Sequence, residues 1–360
     1  MRNSYLYYKL AIVIFAVVTF AGCSKDNGIN NTTVIATPYS LYFSDSAGSL
    51  WNTNDGIFFK YSVFKPDGVP SLAIAMADTN LIWIKGGVPV GLVTAHIWVP
   101  KTVSFNTTYQ PLNPNAVDQT MVLYAADRKR VYIATADGTY SGVKYNDSSG
   151  KALNWNDDTY MMQTGASTFF STITSFTELK DHTIIAIDWN TASKAIFVLP
   201  PPPSIPSKVP WQQITPTTPL PSGGQFTLSH FNNTIVAVDR AGINGAWYSQ
   251  NHGMDWYQYS LPSELIGRKL YCAYAPFEST LLLGTESNGV YVLQGTSFVA
   301  SSNGLTALTA VRSITAKQNI YVNGVSVQYV YIATSQGIFR SEDLGQNWVP
   351  VRAGNYYSIN

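Results

Sequence analysis

One column of small residues constrains this chain more than any other feature. Seven apolar segments carry it: VIAT (34–37), LAIAM (72–76), VYIAT (131–135), TIIAI (183–187), TIVAV (234–238), TLLLGT (280–285) and VYIAT (330–334). The shared position reads Ala36, Ala75, Ala134, Ala186, Ala237, Gly284 and Ala333. Each segment is followed by a turn, an aromatic-rich second segment, a loop and usually a Trp. Residues 35–51 (IATPYSLYFSDSAGSLW) also align without a gap on residues 332–348 (IATSQGIFRSEDLGQNW), so the two ends of the chain carry the same unit. Self-similarity at a fixed period is the signature of a repeat architecture.

The unit is built from strands. Aromatic residues make up 13% of the chain, turn-forming residues are frequent, and no convincing amphipathic helix interrupts them. Spacing of mostly about 50 residues falls in the range of β-propeller blades with loop insertions. Inner strands of a propeller crowd toward a central channel, so an Ala or Gly column marks the closest packing between sheets. The expected fold is all-β: a seven-bladed β-propeller of four-stranded blades, each small-column segment being a second strand. Six blades plus an irregular N-terminal piece is the alternative, because residues 57–103 are the least regular. The first unit lacks a first strand, whereas the tail Asn355 to Asn360 follows Trp348 where one belongs. The tail is therefore expected to pair with the first blade, closing the ring and removing free sheet edges. Residues 34–360 are read as one propeller domain.

Two loops carry a recognisable pattern. Ser341-Glu342-Asp343-Leu344-Gly345-Gln346-Asn347-Trp348 has the form Ser/Thr-x-Asp-x-Gly-x-x-Trp, and Ser249 to Trp256 repeats it with Asn251 in place of Asp. Ser44 to Trp51 is a degraded copy, and Asn146 to Trp155 a copy stretched by two residues. The pattern resembles the Asp-box of BNR-type propellers, which include sialidases, sortilin-type receptors, some glucanases and photosystem II assembly factors. The resemblance implies a folding element on the bottom rim, away from any active site. There Ser249, Asn251, Gly253, Trp256, Ser341, Asp343, Gly345 and Trp348 are turn residues. A short side-chain oxygen satisfies loop amides, Gly supplies the positive φ, and Trp covers the loop. The sialidase Phe/Tyr-Arg-Ile-Pro signature is absent. Arginines are few, with Arg128 and Arg130 in a charged turn and Arg340 on a repeat strand. Sialidase activity is disfavoured. The G-x-S-x-G, H-E-x-x-H and P-loop motifs are also missing. His96, His182, His230 and His252 have no metal-type spacing.

The N-terminus carries an address. Arg2 and Lys9 precede and enter an unbroken apolar run, Leu10 to Val18, which is too short to span a bilayer. Phe20-Ala21-Gly22-Cys23 follows, with small residues just before a cysteine. This arrangement has the parts of a removable signal, and it resembles the lipobox of bacterial lipoproteins. The resemblance implies that residues 1–22 are cleaved and that Cys23 carries a lipid. Residues 23–33 then form a polar tether. Ser24-Lys25-Asp26-Asn27 resembles the surface-export signal of some Gram-negative lipoproteins. An outer-membrane, surface-exposed location is expected, with a periplasm-facing one as the alternative. Cys272, the other cysteine, lies in an apolar run (LYCAYA) and reads as a buried structural thiol. Net charge is +1 and charged residues are 12% of the chain, which argues against a nucleic-acid surface.

Acids recur just after the small-column segments: Asp78, Asp137, Asp188, Asp239 and Glu286, with Trp189 and Arg240 beside them. Brought together by a ring, these acids would line the channel mouth. They would suit Ca²⁺, a cationic ligand or sugar hydroxyls, with Trp189 as a stacking platform. The competing reading, which turn statistics favour, is that Asp is simply a good turn residue there. Residues 200–206 (PPPPSIP) read as a stiff extended rim loop. Two functions follow. One is a non-enzymatic binding propeller held at a membrane, with a glycan or protein ligand on its top face. The other is a carbohydrate-active enzyme using two top-face carboxylates as acid and base.

Overall fold

A computed structural model describes residues 41–53, 60–62, 71–77, 80–85, 91–98, 102–104, 110–111, 122–125, 130–136, 141–147, 156–157, 173–188, 195–201, 211–322 and 325–360. The signal, Cys23, the tether and residues 34–40 lie outside them. Among the described residues the strands form seven antiparallel sheets. The first sheet runs Tyr356–Ile359, Leu41–Asp45, Leu50–Thr53, Lys60–Ser62, and the second Ser71–Ala77, Asn80–Lys85, Gly91–Trp98, Thr102–Ser104, with Gln110–Pro111 added on its third strand. The third is Val122–Ala125, Arg130–Ala136, Ser141–Asp147, Asn156–Asp157, and the fourth Ile173–Glu178, Ile184–Asp188, Ile196–Leu199, Gln212–Ile214. The fifth is Phe226–Phe231, Thr234–Asp239, Ala246–Ser249, Tyr257–Gln258. The sixth is Leu270–Tyr274, Leu282–Thr285, Val290–Gln294, Ser297–Ala300, and the seventh Val311–Val322, Val325–Thr334, Gly337–Ser341, Val349–Ala353.

First strands neighbour one another in sequence order, and that of the seventh sheet lies beside Tyr356–Ile359. Two rims result. Second strands end and first strands begin at the upper rim; first-to-second turns and third-to-fourth loops lie at the lower.

The core is a series of layers between adjacent sheets. Tyr132, Phe176 and Trp211 fill the gap between the third and fourth, with Tyr132 and Trp211 edge to face at 6.3 Å. Ile185, Leu228 and Trp256 fill the next, and Val236, Leu283 and Phe298 the one after. Leu282, Val330 and Trp348 join the sixth and seventh sheets, while Leu41, Phe43, Tyr331 and Tyr356 join the seventh and first. Burying two faces of each sheet explains why the second strands are nearly all apolar rather than alternating.

The small column has a steric cause. Ala186, Ala237 and Ala333 are fully buried. A Cβ on Gly284 would stand 2.6 Å from Cys272 Sγ and 2.8 Å from the Val311 carbonyl oxygen of the next sheet. Five of the column's members lie in second strands, and Ala75 departs from that expectation. Ala75 belongs to Ser71–Ala77, the first strand of its sheet. In the first sheet the second strand is Leu41–Asp45, which the sequence alignment had matched to the third strand of the last unit. Ala36 lies outside the described residues.

The tail pairs with this displaced strand. Phe43 stands opposite Ile359 and Ser44 opposite Ser358. Tyr42 and Asn360 exchange amide–carbonyl bonds of 2.7 and 2.8 Å. Tyr356 meets Phe43 edge to face at 5.2 Å. The described helices are two short 3-10 turns, Ser263–Leu265 and Pro276–Glu278. Among the described residues no helix is long and apolar enough to cross a membrane.

Candidate functional site

At the upper rim the second strands end in short polar residues that organise the following loop. Asp239 is fully buried. Its Oδ1 accepts the amides of Gln225 and Ala241, both at 2.8 Å. Its Oδ2 accepts those of Ile243 at 3.0 Å and Asn244 at 2.7 Å. Four amides occupy the carboxylate, so it serves the loop rather than facing solvent. Asp45 does the same work in the first sheet. It accepts the Ala47 and Ser49 amides at 2.9 and 2.8 Å, and the Trp51 indole N–H at 2.9 Å. Ser44 to Trp51 is thus a second-to-third loop on the upper rim, which corrects its reading as a degraded Asp-box.

In the sixth and seventh sheets threonine takes this place. Thr285 accepts the Asn288 amide at 2.9 Å and donates to the Gly289 carbonyl at 2.8 Å. Thr334 accepts the Gly337 amide at 2.9 Å and donates to its carbonyl at 2.7 Å. Glu286 therefore occupies the position of Arg240, one residue beyond the cap. Both send their amide to the preceding first-strand region, Glu286 to the Lys269 carbonyl and Arg240 to that of Gln225. The offset arises because the first strand of the sixth sheet bulges between Leu270 and Cys272. Glu286 pairs with Lys269 at 3.0 Å, and Arg240 is exposed.

Of the five acids expected to form a ring, Asp239 and Glu286 are engaged as above. Asp188 ends a second strand, as Asp239 does. Asp78, Asp137 and Trp189 lie outside the described residues. Among the described residues no group of three or more His, Cys, Asp or Glu is placed to hold a metal ion.

The described upper rim exposes several large aliphatic side chains. Ile243 is 67% exposed, Ile266 70% and Leu308 78%, on loops of the fifth to seventh sheets. The first two loops touch: a Cβ on Gly242 would meet Arg268 backbone carbon at 3.0 Å. Arg312 lies over the Tyr357 ring at 4.2 Å and Arg352 over Trp51 at 3.8 Å.

The lower rim is built for cohesion. Ser341 Oγ donates to Asp343 Oδ1 at 2.7 Å and accepts the Gly345 amide at 2.8 Å. Asp343 Oδ1 also accepts the amides of Gln346 and Asn347. Burial alone would raise the Asp343 carboxyl; bonds from Asn347, Ser341 and Gln346 outweigh it and hold the group below the usual carboxylate range. Gly345 has φ +93°, and Trp348, buried, donates to the Ser301 carbonyl of the preceding sheet at 2.8 Å. In the second box the Gly253 amide reaches Ser249 Oγ at 2.9 Å, Asn251 Oδ1 accepts the Asp255 amide, and Trp256 donates to the Gly253 carbonyl. Both loops lie between third and fourth strands. Trp211 fills the same gap directly before its fourth strand, although the box is missing there.

His230 and His252 on the lower rim fasten sheets together. His230 bridges Thr177 of the fourth sheet and Glu278 beyond the first strand of the sixth, each at 3.1 Å. His252 meets Asp181 at 3.1 Å, and His182 stands 3.6 Å from Glu178. Burial lowers the His230 pKa, against the opposing pull of Glu278. Burial pushes the Cys272 thiol up to about 12, in keeping with a structural role.

No family model and no curated protein matches this chain. Solved structures do. A candidate 6-phosphogluconolactonase from Bacteroides uniformis superposes with a TM-score of 0.57 at 10% identity, over 89% of this chain and 98% of that one. The fold is a β-propeller. A corresponding protein from Bacteroides fragilis gives 0.56 at 10% identity, over 92% of this chain and 99% of that one. YCF48 bound to D1 peptide gives 0.52 at 11% identity, over 85% of this chain and 92% of that one. At these identities the likeness speaks for the propeller fold alone.

Proposed function

We propose that this chain is a seven-bladed, lipid-anchored binding propeller that presents its upper rim to a protein segment. In this reading residues 1–22 are removed, Cys23 carries the acyl anchor, and residues 34–360 form the propeller on the outer face of the outer membrane. The observation that carries the binding function is the composition of the upper rim. Ile243, Ile266 and Leu308 project from successive loops, while Asp45 and Asp239 are spent on loop amides. Large exposed aliphatics grouped on one face mark interaction sites. YCF48, a propeller of similar shape, has been solved with a bound peptide, which supports a protein ligand over a glycan. Hydrolysis by an acid pair draws no support from the described carboxylates, because Glu286 is held by Lys269 and Asp239 by four amides.

Photo-crosslinking from Leu308 in intact cells tests the binding reading. One dominant protein adduct is expected, diminished when Ile243→Ser and Ile266→Ser are combined. A glycan array or glycoside-hydrolysis screen that responds to the purified chain, with no protein adduct, would sink it. Labelling with an alkynyl fatty acid tests the anchor. Incorporation should be abolished by Cys23→Ser, and a mature chain that takes up no label would remove the anchor from the proposal.

A further inference from the structure

The exposed aliphatic side chains of the upper rim stand on backbone that is fastened in place. Ile243 sends its amide to the buried Asp239 carboxylate at 3.0 Å. Ile266 follows the Ser263–Leu265 turn, with its amide on the Ser263 carbonyl at 3.3 Å, and Leu265 is buried. Leu308 has φ +63°, a conformation uncommon for a leucine, and its neighbour Thr309 is fully buried. Thr309 donates to the Thr306 carbonyl at 2.7 Å, and its own carbonyl accepts the Gly289 amide at 3.0 Å. Thr306 in turn donates to Gln336 of the seventh sheet. Backbone held in a sparsely populated region collects at sites that meet ligands. Loops already fixed in shape lose little entropy on association.

Cations stand beside these aliphatics. Arg240 lies three residues before Ile243 and Arg268 two after Ile266, on the two loops that touch at Gly242. Arg240, Arg268 and Lys269 are all exposed. Lys269 is paired with Glu286, and Glu264 accepts the Tyr291 hydroxyl at 3.4 Å. Among the described residues neither Arg240 nor Arg268 has a carboxylate partner. The charge of Arg240 is felt at the Cys272 thiol, on the first strand of the sixth sheet, so its guanidinium stands toward the sheet that Arg268 precedes. A Cβ on Gly267, between Ile266 and Arg268, would meet nothing within 4 Å, and the surface there is open.

A guanidinium offers a planar fork of donors that matches a carboxylate at two points. Specific interfaces combine an apolar centre with polar contacts around it. We propose that the upper rim of the fifth to seventh sheets takes a peptide segment carrying both aliphatic and acidic side chains, its carboxylates paired with Arg240 and Arg268 and its aliphatics packed on Ile243, Ile266 and Leu308. The proposal rests on the protein-segment reading above and names the chemistry of that segment. Opposite charges fix how the segment lies and reject basic sequences.

A phage library of random dodecapeptides, panned on the purified full-length chain, supplies the probes. Selected peptides enriched in both aliphatic and acidic residues are expected, and their binding should weaken as salt is raised. Arg240→Gln combined with Arg268→Gln should weaken it roughly tenfold or more, because hydrogen bonds between charged groups are lost. Arg240→Glu combined with Arg268→Glu should transfer the preference to the same peptides with Lys in place of each acid. Thermal melts matching the parent chain show that the variants are folded. Peptides that need Ile243 and Ile266 but bind the arginine variants unchanged overturn the acidic partner and leave the protein-segment reading standing. A library with no binder sensitive to Ile243→Ser combined with Ile266→Ser overturns both. Polygalacturonate, an acidic polysaccharide, is the last probe. If it binds through the two arginines while no peptide does, the proposal falls in favour of a glycan.

Discussion

Asp239 shows how one residue type serves two readings. Asp is placed where a ligand-binding acid would stand, but its oxygens are filled by the amides of Gln225, Ala241, Ile243 and Asn244. Asp239→Asn keeps one acceptor oxygen and turns the other into a donor facing two amides. A buried donor without an acceptor costs about 1–3 kcal/mol. We expect a fall of that order in unfolding free energy, read from urea melts, with no change in Ca²⁺ affinity by calorimetry. A large calcium effect with unchanged stability would return Asp239 to the ligand-binding reading. Thr285 and Thr334 stand in the same structural place, which letters alone do not reveal because the first strand of the sixth sheet bulges.

Elements differ in how far local pattern specifies them. The full Asp-box at Ser341 to Trp348 was legible because its bonds span only a few residues. Ser44 to Trp51 has similar letters but turns on the opposite rim, since the strand before it pairs with a tail more than 300 residues away. The long first hairpin of the seventh sheet is signalled only by alternation around Asn323-Gly324. Lys317 at its root is a useful reporter. Burial lowers its pKa from 10.5 to about 8. The unfolded chain then binds more protons between those values, so the cost of charged Lys317 is full below pH 8 and is relieved as pH rises to about 10.5. Lys317→Met should stabilise the protein at neutral pH, by at most about 3 kcal/mol. Melts at several pH values should show the advantage shrinking through that window. An advantage constant across pH would mean that packing rather than charge is responsible.

At the scale of the molecule, closure depends on the tail. Tyr356 and Ile359 are buried between the seventh and first sheets, and Ser358 bonds Ser44. Deleting Asn355 to Asn360 uncovers two sheet faces and a strand edge. Burying a large apolar side chain contributes about 1.5–3 kcal/mol, so the loss should reach roughly 5 kcal/mol. Calorimetry is expected to show a markedly lower and less cooperative transition, with aggregation through the open edge. An unchanged melt would mean that the ring holds without this strand.

The sequence by itself determined the strand-rich repeat, its small column and its turn chemistry, because these are local and recur with a period. It did not decide which strand a given apolar segment becomes. Ser71–Ala77 is a first strand where a second was expected, and Leu41–Asp45 a second where a third was expected, because inner strands of a packed sheet carry the same apolar signal. Only pairing across the sheet separates them. The small column was right about close packing, as Gly284 against Val311 demonstrates. Which acids face solvent was likewise a tertiary matter. A carboxylate is free or spent according to the amides that folding brings to it, and those that reach Asp239 come from both its own loop and the preceding first-strand approach.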